Sequence, residues 1–207
     1  MRGAMPSFRC PVRDPAPAIF ARRARRVLHG PPRIRMLRKK LGFAALAAQA
    51  HSGRKAAWKA YRTLVALDRA AQRTDVPVDK EVRVDMDGLD IHGFGYPQLL
   101  HLYKEIFLKK DYAVDLGTDR PTIVDCGSNI GTSIAFFKRR YPKARIIGFE
   151  PHPRLFPVLR GNLDRNSMQD VEVHNCALGK EDGSIAFFVS ENPGYLRSSI
   201  RADRGGQ

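Results

Sequence analysis

The chain has 207 residues, of which 36 are Lys or Arg and 21 are Asp or Glu, giving a net charge of +15. That length fits one domain with added segments, and an apolar share of 43% is that of a globular protein. The longest apolar run of the basic leader, Gly42 to Ala48, is far too short to span a bilayer.

The charge is unevenly placed. Residues 1–73 hold 18 basic residues and only two acids, Asp14 and Asp68, for a net +16. Residues 74–207 hold 18 basic and 19 acidic residues, for a net −1. The sequence therefore predicts a basic N-terminal extension over 1–73, disordered to about residue 35 and then helical, ahead of a near-neutral domain over 78–207. In the first stretch Pro6, Pro11, Pro15, Pro17, Pro31 and Pro32 break any long helix, and Arg22 to Arg26 form a self-repelling cluster.

Helices are expected over 36–50 and 54–73, joined at Ser52-Gly53. In the second, Trp58, Tyr61 and Val65 recur at spacings of three and four, with Arg54, Lys55, Lys59, Arg62 and Arg69 on the polar side. Two readings compete for this helix. It packs its stripe on the domain and solvates its charges, or it meets membrane lipid or nucleic acid as a basic amphipathic helix. Nucleic acid is the less favoured partner, because residues 1–73 contain no recognition motif.

Residues 81–94 alternate in polarity around Asp87-Gly88, which predicts a hairpin with a tight turn. An amphipathic helix follows over 97–111, built on Leu99, Leu100, Tyr103, Ile106 and Phe107. From Thr122 strands and helices alternate: strands at 122–126, 145–150 and 171–176, helices at 130–140 and 153–166. That alternation implies an α/β domain with parallel pairing. A turn at Asp182-Gly183 and a strand from Ile185 to Val189 complete the pattern.

The three cysteines, Cys10, Cys126 and Cys176, lack metal or redox spacing. An odd count without a framework points to a reducing compartment, and so to the cytoplasm. Cys126 and Cys176 fall at strand ends, where they are expected as small buried apolar residues.

The chemistry concentrates at Asp125-Cys-Gly-Ser-Asn-Ile-Gly131, with Glu150 ending the next strand. A dinucleotide site wants glycine at the first, third and sixth positions of its loop. Counted from Gly127 these are Gly127, Asn129 and Thr132, and two of the three fail. S-adenosylmethionine carries no phosphate and suits Asp-x-Gly-x-Asn-x-Gly better. Gly127 and Gly131 permit backbone angles closed to other residues. Asp125 would face the amino-acid end of such a ligand, and Glu150 would accept hydrogen bonds from both ribose hydroxyls. His152, just after Glu150-Pro151, reads as a surface or loop residue, and His101 and His174 carry no signal. No His or acid pair has metal-ligand spacing, so no metal is expected.

With Asp125 to Gly131, Glu150-Pro151 and Asn175-Cys-Ala-Leu-Gly179 in place, the chain resembles the FkbM family of S-adenosylmethionine-dependent methyltransferases over roughly residues 80–200. Tyr103 to Phe107, Tyr112, Arg160 to Asn162 and Ser198-Ser199 add to the resemblance. It implies a Rossmann-like class I methyltransferase fold and methyl transfer to a hydroxyl of a sugar, polyketide or similar small acceptor. It places Ala177 and Leu178 beside the adenine. The family's Asp-Val-Glu-Gly-type motif, which faces the substrate, follows the Ser-Ser region and has no counterpart before Gln207. The expectation is thus an incomplete fold, with residues 122–126 as an unpaired edge prone to association and little activity as a fragment. No catalytic base is assigned. The alternatives are a cofactor-binding module without turnover, or a protein that binds nucleic acid or an anionic surface through its basic extension.

Overall fold

The computed structural model describes residues 32–77, 79–181 and 183. Cys10, the Arg22 to Arg26 cluster, the expected strand at 185–189 and Ser198-Ser199 lie outside them. The chain divides into two compact units, residues 1–39 and 40–207. Among the described residues no helix is long and apolar enough to cross a membrane.

Helix α1 spans Pro32–Ala50 and so begins earlier than the expected residue 36. Proline ends a helix from within but suits its first turn, where its missing N–H would have no partner. In the second unit Phe43, Ala47 and Ala50 of α1 are buried.

Helix α2, Arg54–Ala71, buries Ala60, Leu64 and Leu67. Tyr61 and Val65 pack against the core only partly, and Trp58 is 61% exposed. The packed stripe is therefore rotated from the expected one, and Trp58 lies outside it, stacked on Tyr61 at 5.4 Å. Smaller side chains at 60, 64 and 67 let α2 approach more closely than an indole would, and burial follows the closest approach.

Strands β1 (Glu81–Met86) and β2 (Leu89–Phe94) form the expected antiparallel hairpin. Asp87 and Gly88 both have positive φ, 57° and 94°, as a two-residue turn matched to strand twist requires. Tyr103 Oη donates to Asp87 Oδ1 at 2.8 Å and ties the turn to the next helix. That helix, α3, covers Tyr96–Leu102 and widens into a π-helical segment at Tyr103–Leu108. The wider turn buries Tyr103, Ile106, Phe107 and Leu108 together, more than a regular helix face would offer.

The second half is a parallel sheet in the order β3-β4-β5. Its strands are β3 (Thr122–Cys126), β4 (Arg145–Phe149) and β5 (Val171–His174). Helices α4 (Thr132–Arg140) and α5 (Leu155–Arg165) connect them. Ile134 of α4, Ile146 of β4 and Leu159 and Leu163 of α5 form one buried cluster, against which Ile123, Val171 and Val173 pack. On the other sheet face Thr122, Val124 and Cys126 are exposed, Val124 by 55%.

This geometry corrects the reading of the cysteines, since both Cys126 and Cys176 are exposed. Strand alternation puts Cys126 on the face opposite α4 and α5, and Cys176 lies in the loop after β5.

Candidate functional site

The site lies at the carboxyl ends of β3, β4 and β5. β3 delivers Asp125 half-buried, and its carboxylate accepts the hydroxyl of Ser133 in the first turn of α4, Oγ to Oδ2 2.6 Å. The chain then turns sharply. The N–H groups of Gly127 and Ser128 both donate to the carbonyl of Phe149 at 2.9 Å. The loop is thereby pinned to the end of the neighbouring strand.

Three loop positions need left-handed backbone: Gly127 at φ 109°, Asn129 at 51° and Gly131 at 85°. Around the position a Cβ would take on Gly127 there is no atom within 4 Å, so that backbone faces open space. A Cβ on Gly131 would sit 2.6 Å from Leu159 Cδ1, so this glycine permits close packing of the loop on α5. Asparagine tolerates the left-handed region, and Asn129 Oδ1 accepts the N–H of Ile130 at 2.8 Å.

Glu150 follows β4 and is 6% exposed. Its Oε2 accepts the backbone N–H of Asn129 at 2.7 Å and its Oε1 that of His152 at 2.8 Å. Burial holds the carboxyl above the ordinary glutamate range, while the two N–H bonds pull the other way. A carboxylate offers about four lone-pair sites, and these two N–H groups occupy two of them. Asn175 braces the same point, its Nδ2 donating to the Glu150 carbonyl at 2.8 Å.

The structure thus brings Asp125, Gly127, Asn129, Gly131 and Glu150 into one hydrogen-bonded arrangement. Ala177 and Leu178 follow β5 as exposed residues, Leu178 by 52%, and offer apolar surface.

His152 lies in the loop after β4, as expected of it, but not at the surface, being only 1% exposed. Its Nδ1 accepts the N–H of Arg154 at 3.1 Å, so the neutral ring carries its proton on Nε2. That buried Nε2 has no hydrogen-bond partner. Burial, followed by the charge of Arg154, holds the imidazole below its ordinary value. Ser133 also escaped the sequence reading. Its signal was a hydroxyl in the first turn of the helix that the loop opens.

An acid-tipped parallel strand, a left-handed glycine loop and a second acid one strand over are the arrangement that nucleotide-type sites of α/β sheets use. Residues 125–207 match the family model described as the methyltransferase FkbM domain, and that part of the chain carries the family resemblance. Methyltransferase 1 of Beauveria bassiana is 40% identical over 94 residues, which is 45% of this chain and 38% of that protein. Methyltransferase sdnD of Sordaria araneosa is 34% identical over 103 residues, 49% of this chain and 40% of that one. The chain thus spans about two fifths of the length of these curated relatives. Among solved structures, TYW2 of P. horikoshii in complex with MeSAdo aligns with a TM-score of 0.35 and 16% identity, over 48% of this chain and 37% of that one.

Proposed function

We propose that residues 122–178 form the cofactor half of an S-adenosylmethionine-dependent methyltransferase that acts on a hydroxyl of a small acceptor such as a sugar or polyketide. The observation that carries this reading is the pairing of Glu150 with the glycine loop, inside the segment that matches the FkbM domain. The donor set fits the cofactor. Open space at Gly127 admits a ligand against the backbone. The Glu150 carboxylate suits a ribose diol, and exposed Leu178 suits the face of an adenine.

The cofactor, when bound, supplies a methyl group on a sulfonium that leaves as a neutral thioether. The residues of this chain bind and orient. Glu150 fixes the ribose, and Asp125, held by Ser133, faces the cationic amino-acid end. Ala177 and Leu178 shield the adenine from water. Holding acceptor oxygen, methyl and sulfur in line contributes up to about 7–11 kcal/mol to lowering a barrier of this kind. Residues that hold the acceptor belong to the rest of the site, and no base is assigned among the described residues.

A second reading is a module that holds the cofactor without turnover, since no base is assigned among the described residues. Transfer of labelled methyl to a panel of hydroxylated acceptors, run with binding of S-adenosylhomocysteine, separates the two. Binding with transfer supports the enzyme, binding alone supports the module, and no binding contradicts both.

A further inference from the structure

We infer that Asn162, on α5, positions the glycine loop and couples it to the β1–β2 hairpin. The inference deepens the proposed function and rests on that reading for its binding arm.

Asn162 is 1% exposed and spends its whole amide on three segments. Its Nδ2 donates to the carbonyl of Ile130 at 2.8 Å and to that of His92 at 2.9 Å. Its Oδ1 accepts the N–H of His92 at 2.9 Å and Nη2 of Arg165 at 2.9 Å. One turn on, Asn166 repeats half of this pattern. Its Oδ1 accepts the N–H of Asp90 at 2.8 Å and its Nδ2 donates to the Asp90 carbonyl at 2.9 Å. Asn162 in the last turn of α5 and Asn166, which caps its end four residues on, meet the backbone of alternate residues of β2, as a neighbouring strand would.

Only Asn162 adds a bond to the loop. Ile130 stands between Asn129, whose N–H is held by Glu150, and Gly131, which needs φ 85° and close contact with Leu159. A donor on the Ile130 carbonyl fixes the peptide plane joining Ile130 to Gly131. It thereby fixes the turn that carries the Asn129 N–H to Glu150. The Ile130 side chain also packs at the hairpin, since a Cβ on Gly93 would meet Ile130 Cδ1 at 2.9 Å. The hairpin therefore bears on the binding loop through both the side chain and the backbone of Ile130. Loss of this buried amide would leave the carbonyls of Ile130 and His92 and the N–H of His92 without these partners, a costly outcome.

Asn166→Ala is the control, because it removes bonds to β2 and to the Asn162 carbonyl without touching the loop. Both Asn162→Ala and Asn166→Ala should lower the melting temperature. Only Asn162→Ala should weaken S-adenosylhomocysteine binding, by about tenfold. Only Asn162→Ala should shift the backbone ¹⁵N resonance of Gly131, whose preceding carbonyl loses its donor. In the full wild-type chain, added S-adenosylhomocysteine should slow solvent exchange of the Asn162 side-chain amide, a readout that does not depend on a variant folding. Equal effects of the two variants on binding and on the Gly131 resonance would overturn the inference, as would unchanged exchange in the wild type on binding. If the wild type binds no S-adenosylhomocysteine, the functional reading fails, and the Gly131 shift alone decides the coupling.

Discussion

Glu150 and Asn129 are joined by a 2.7 Å hydrogen bond from the Asn129 backbone N–H to Oε2. The acid at the end of β4 therefore organises the loop that follows β3. This makes the charge state of Glu150 a property of the whole site.

The pH dependence follows from the sign of that shift. Burial raises the folded-state value of Glu150 above that of the unfolded chain. The folded state then holds the proton more tightly, so this group's contribution to stability is full below the unfolded value of about 4.5 and is lost as pH rises through the folded value. Glu150→Gln removes the titration. The melting temperature of the variant relative to wild type should accordingly fall as the pH is lowered from 7 toward 4.5. A difference independent of pH would show that folding does not shift the titration of Glu150.

Gly131→Ala combines a left-handed φ of 85° with a Cβ 2.6 Å from Leu159 Cδ1. The backbone term alone costs about 1–2 kcal/mol. Gly53, at φ −104° with open space around it, is the control. Denaturant unfolding should show Gly131→Ala clearly more destabilised than Gly53→Ala, whose cost is limited to that of an alanine at a helix N-cap.

Tyr103 donates to the Asp87 carboxylate from a fully buried position. Burial, and then the neighbouring Asp87 charge, push the phenol upward, so it keeps its proton and continues to donate at alkaline pH. Tyr103→Phe removes a bond to a charged acceptor and should cost about 1.5–3 kcal/mol. Chemical denaturation of wild type and variant measures that difference.

The exposed face and edge of β3 carry the expectation of association. Val124 is 55% exposed, and β3 has a partner on one side only among the described residues. Val124→Lys places a charge on that strand, a common device against edge pairing. Light scattering should show less self-association for the variant than for wild type at equal concentration.

The elements were legible where period and punctuation agreed. The Asp87-Gly88 turn, the alternation of strands and helices from Thr122, and the glycine loop all read directly from residue type and spacing. Trp58 misled because an amphipathic pattern gives a face only to within one residue row, and close packing on Ala60 and Leu64 decided the row. Cys126 misled because a strand end is buried only if both sheet faces are covered. His152 and Asn162 carry no periodic signal. Their burial depends on chain segments far apart in sequence, such as Asn162 meeting His92, 70 residues away.

The most direct test of the account is calorimetric titration of the chain with S-adenosylhomocysteine and with NAD, repeated on Glu150→Ala. The account predicts that S-adenosylhomocysteine binds the more tightly, and that Glu150→Ala weakens it by about 1.5–3 kcal/mol, the scale of hydrogen bonds to a charged group. Tighter binding of NAD, or an affinity for S-adenosylhomocysteine untouched by Glu150→Ala, would contradict it.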